Sequence, residues 1–94
     1  MSLSLDKFRA KLVIKILYAR SGAETERFVR AAVMAMEKKK VNGYIITRFI
    51  DRIMNQLNNF HPFKTNETQW NNITVARSCL ANMKEFIQLP ARSA

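Results

Sequence analysis

Glycine and proline are scarce in this chain, two of each in 94 residues, which disfavours a turn-rich β fold and suits the helix-forming clusters of Leu, Ile, Met, Ala, Lys and Arg. Cysteine occurs once, at Cys79, so no disulfide can form within the chain. Histidine also occurs once, at His61. Nucleophilic catalysis by Ser, Thr or Cys needs a base and a group that orients it, and a lone imidazole beside Pro62, in what reads as a connector, does not supply that set. Cys79 falls in the middle of a helical segment and reads as a buried structural thiol rather than half of a Cys–His pair. Metal sites need Cys, His, Asp or Glu at fixed offsets, and no such spacing recurs. Gly22 and Gly43 stand alone at helix starts, whereas a phosphate-cradling loop needs several glycines close together. The chain therefore reads as non-enzymatic, with no catalytic residue, metal, cofactor or small-molecule substrate.

Long apolar runs are missing too. No stretch approaches the roughly 18 residues of a membrane span, and Met1 to Lys7 lacks the apolar core of a signal peptide, so the expected location is the cytoplasm and a membrane is not an expected partner. Acidic residues are the last shortage: seven Asp and Glu against 16 Lys and Arg leave a net charge of +9. Such an excess attracts polyanions over long range without naming one.

What is present is apolar periodicity. Hydrophobic residues make up 48% of the chain, enough for one helical core, and residues 1–94 read as a single domain. The expected fold is all-α, a small four-helix bundle with helices at about 5–20, 22–40, 43–60 and 67–88. Ser4 is placed to cap the first helix, with Asp6 in its first turn and Leu3 stapled against Phe8. Leu12 to Tyr18 is rich in β-branched residues, yet Lys7, Lys11 and Lys15 fall on one stripe and leave Leu5, Phe8, Leu12, Ile16, Val13 and Leu17 as a wide apolar face. Ser21 and Glu24 have capping-box spacing for the second helix, whose buried side is Phe28, Val29, Ala32, Val33, Ala35 and Met36. Val41 and Ile46 staple the third around Asn42, and Ile46, Ile50, Ile53, Leu57 and Phe60 recur at steps of four and three. Pro62 breaks the pattern, and Asn66 with Gln69 restarts it for Trp70, Ile73, Ala76, Leu80, Met83 and Ile87, as far as Pro90. Two matching seams joined by a short break imply that the last two helices form an antiparallel hairpin. The first two either turn sharply at Ser21-Gly22 or run as one bent rod.

Two features are left over for function. Apolar residues outside the seams, Val13, Leu17, Tyr44, Ile45, Phe49 and Phe63, mark an interface, so the first expectation is a helical protein-interaction module that forms a homodimer or takes a helical protein partner. The alternative is a basic nucleic-acid-binding protein. Its candidate polyanion contacts are Lys7, Lys11 and Lys15, the run Lys38, Lys39 and Lys40, and Arg48 and Arg52 with the more distant Arg77. Met36 to Arg52 has the outline of a helix-turn-helix, but its flanking helices are too long and its turn too unlike the compact motif.

Overall fold

The computed structural model describes residues 4–89. They form four α-helices, α1 (Leu5–Tyr18), α2 (Gly22–Lys38), α3 (Gly43–Asn58) and α4 (Glu67–Glu85), with one 3-10 turn at Pro62–Lys64. The described residues contain no strand, and the all-α bundle implied by the sequence is the fold observed.

Each α-helix begins at a side-chain cap, because its first backbone N–H groups have no partner within the helix. Ser4 accepts from the Lys7 N–H, Ser21 from Glu24, and Asn42 from Tyr44. Asn66 and Gln69 form the reciprocal box, each side chain accepting from the other's backbone N–H. The box expected at Ser21 is altered: Glu24 Oε1 accepts from the Arg20 N–H at 3.1 Å, one residue further out than its own cap. Ala19 has left helical geometry there, with φ −64° and ψ 147°, so Arg20 is folded under the first turn of α2. The chain turns sharply, and the single bent rod is excluded. The staple expected at Leu3 and the stop expected at Pro90 lie outside the described residues.

All four helices end two or three residues before the expected bounds of 20, 40, 60 and 88, and α3, which stops at Asn58, leaves Phe60 of its seam outside. α1 stops at Tyr18 for the turn just described, and α2 stops at Lys38 because Lys40 takes a left-handed conformation, φ 58°. α4 stops at Glu85, after which Phe86 to Leu89 leave the helix, and Gln88 approaches the start of α3.

The core joins all four helices through Leu12 and Ile16, Val29, Val33 and Met36, Ile46, Ile50, Ile53 and Leu57, and Ile73, Ala76 and Leu80. α3 and α4 run antiparallel: Gln88 lies against Gly43, and Lys84 Nζ meets Asp51 Oδ1 at 2.7 Å. The most extensive packing of α4, however, is against α2. Those two run in the same direction, with Gly22 at the start of α2 beside Val75 midway along α4, and Glu37 and Val41 at the other end of α2 near Ile87 and Gln88 beyond α4. Gly22 permits the approach, since a Cβ there would stand 3.0 Å from Val75 Cγ2. Buried Asn72 pins the α1–α2 turn to α4, its Nδ2 donating to the Ala19 carbonyl at 2.8 Å while Oδ1 accepts nothing from the protein. Thr25, also buried, donates from its hydroxyl to the Ser21 carbonyl at 3.0 Å.

Candidate polyanion-binding face

α1 lies over the bundle with a groove on each flank. Towards α3, a recess of about 240 Å³ is lined by Leu5, Arg9, Ile45, Arg48, Phe49 and Arg52. It adjoins a second of about 310 Å³, lined by Arg9, Arg52, Asn55, Gln56 and Asn59. Arg9 and Arg52 belong to both, so the two form a continuous path down the α1–α3 boundary.

Helical geometry sets this composition. Arg48 and Arg52 are four residues apart and rise about 6 Å along α3, Asn55, Gln56 and Asn59 continue that side, and Arg9 enters from α1. Arg9 is held from behind by Asp6, Nη1 to Oδ1 at 3.2 Å. No carboxylate lines either recess, and neither Arg48 nor Arg52 has an ion-pair partner among the described residues. Three guanidinium groups beside three carboxamides offer many N–H donors, with only the charge of Arg9 offset by a carboxylate, Asp6, a set that suits phosphate oxygens. Aromatic stacking is not on offer: Phe49 is buried, with its ring centroid 5.6 Å from that of Phe8.

Of the cations named from sequence, Arg48 and Arg52 come together in this path. Lys7, Lys11 and Lys15 are exposed along α1 but line neither recess of this path; Lys11 and Lys15 border the opposite groove, towards α2. Lys38, Lys39 and Lys40 are exposed at the end of α2, and Arg77 stands exposed on α4, lining neither groove. Arg9 was not foreseen, because it lies off the Lys7–Lys11–Lys15 stripe and gains its place only when α1 meets α3. The amide-rich end of α3, Asn55-Gln56-Leu57-Asn58-Asn59, was the one local sign of it.

The apolar set divides. Val13 and Phe49 belong to the interior, 4% and 3% exposed, and are not open to a partner. Leu17 is half-buried against the core. Tyr44 and Ile45 are exposed at the start of α3, and Phe63 is fully exposed in the connector. Large apolar side chains not foreseen as exposed include Ile14 and Tyr18 on α1 and Phe86 after α4.

His61 is exposed and Cys79 buried, on separate elements. Burial pushes the Cys79 thiol above its ordinary range; Arg30 opposes the shift and Glu26 adds to it. Among the described residues no three His, Cys, Asp or Glu side chains gather to hold a metal ion, and no helix is long and apolar enough to cross a membrane. Comparison with known protein families, curated proteins and solved structures finds no match to the chain.

Proposed function

We propose that this chain is a non-enzymatic nucleic-acid-binding module that holds the phosphate backbone along its α1–α3 face. The observation that carries the reading is the sharing of Arg9 and Arg52 by two adjoining recesses, which turns scattered cations into a path with Arg48 towards one end of it. Guanidinium forks bind phosphate in pairs of hydrogen bonds, and the carboxamides add neutral donors that fix orientation. The net charge of +9 draws the ligand in from a distance. With no open aromatic in the path, the bases are not stacked, and binding follows phosphate density rather than sequence.

Self-association has less support than the apolar surplus suggested. Val13 and Phe49 are covered within the chain, and each further copy brings another net charge of +9.

The test is fluorescence anisotropy on duplex DNA over a salt series. Three arginine–phosphate contacts give a log–log slope of about −2.7, so affinity falls roughly 40-fold between about 50 and 200 mM salt. Arg48→Glu with Arg52→Glu should weaken binding by at least about tenfold at the lower salt, with helicity unchanged. A slope near zero, or wild-type affinity in that double variant, overturns the reading.

A further inference from the structure

We infer that the groove on the other flank of α1, towards α2, docks an acidic amphipathic helix of a partner protein. This goes beyond the nucleic-acid reading and does not rest on it. The groove holds about 180 Å³; like the recess lined by Leu5, Ile45 and Phe49 it is chiefly apolar, but it carries no guanidinium or carboxamide group. Ala31, Ala32 and Ala35 of α2 contribute only methyl groups, Phe8 and Phe28 supply aromatic carbon, and Lys11 and Lys15 provide its charged groups.

Each feature selects among occupants. Methyl-sized side chains on α2 let a helix approach closely, because interaxial distance is set by the side chains at the contact. From Phe8 to Lys15 the groove follows α1 for about 10 Å, two turns, which is the length engaged by apolar anchors at i, i+3 or i+4, and i+7 of a guest helix. Lys11 and Lys15 are four residues apart, so their spacing along α1 equals that of two carboxylates four apart on the guest. Lys15 lies beside the groove, its ammonium 5.6 Å from the centre of the Phe28 ring.

Other occupants fit less well. A second copy carries a net charge of +9 towards a lysine-bordered groove. Ile87 and Gln88, after α4, lie elsewhere, against Gly43. A phosphate backbone would find two ammonium groups but no donor from the alanines. An acidic helix alone matches both the apolar interior and the charge.

The probe is a synthetic helical peptide of about 20 residues with leucine on one face and glutamates four apart beside it, titrated by anisotropy near 150 mM salt. A control of the same composition has its leucines scattered around the helix. The ordered peptide should bind with micromolar Kd, and the scattered one at least about tenfold more weakly. Ala31→Phe, at an exposed position, fills the groove, and Lys11→Gln with Lys15→Gln removes its charge; each should weaken the ordered peptide by about tenfold or more while the melting curve shows an intact fold. Arg48→Glu with Arg52→Glu should leave peptide affinity within about twofold, which separates this groove from the DNA path. Equal binding of the two peptides, an unaffected Ala31→Phe, or no binding by about 1 mM overturns the inference.

Discussion

Lys40 occupies the position after the end of α2 where glycine is usual. The Val41 N–H reaches back to the Met36 carbonyl at 3.0 Å and the Lys40 N–H to Glu37 at 2.9 Å, the paired bonds that close a helix through a left-handed residue. With φ at 58°, the lysine Cβ crowds its own backbone. Lys40→Gly should therefore raise stability by about 1 kcal/mol in urea unfolding, with no change in slope. Cys79 gives a second expectation. Its folded-state pKa lies above the ordinary 9.0, so its contribution to stability is full below that pH and is lost as pH rises through the higher folded value. Little thiolate is present near pH 8, and iodoacetamide should modify Cys79 at least about tenfold more slowly than a free cysteine, recovering in urea. Reaction at the free rate would refute the burial argument. Single residues were also where sequence reasoning was weakest for the site. Phe49 and Val13 flank their helices' apolar seams, and whether a flank is covered depends on where α1 crosses, which no local pattern records. Arg9 was missed for the same reason.

Helix starts were legible and helix ends were not, and the cause is chemical. A start is written in side chains, since Ser4, Ser21, Asn42 and Asn66 each accept a backbone N–H that the helix cannot satisfy. An end depends on backbone conformation and on what lies nearby: Ala19 becomes extended to meet Asn72, and Gln88 lies against α3. Gly43 makes the second arrangement possible. A Cβ there would overlap the Gln88 carbonyl oxygen and crowd Ile87 Cγ2. Gly43→Ala should push the segment after α4 away and expose Ile87, lowering stability by about 1 kcal/mol while the helix content stays the same. Hydrogen exchange would place the new exposure at Ile87 and Gln88; protection equal to wild type there would show that the segment accommodates the methyl.

For the molecule as a whole, the bundle and its antiparallel last pair followed from periodicity, but the broad α2–α4 contact did not, because seams reveal which face is buried and not which helix buries it. The charge was legible in amount and not in arrangement. Exposed pairs such as Arg30–Glu26, at 2.9 Å, add little, so self-repulsion among the uncompensated cations should dominate the response to salt. The midpoint of thermal unfolding should rise by several degrees between about 20 and 300 mM sodium chloride, read by calorimetry, since about 1 kcal/mol shifts a domain of this size by 4–8 °C. A falling midpoint would mean that ion pairs outweigh repulsion. The connector before α4 bears on how the molecule can be handled. His61, Pro62, Phe63 and Lys64 are all exposed, while α4 buries Ile73, Ala76, Cys79 and Leu80 among the other helices. The covalent link at Phe63 thus holds little that packing does not, so a chain cut there should reassemble from two polypeptides, each with a new end, remote in sequence from α1, for carrying a label.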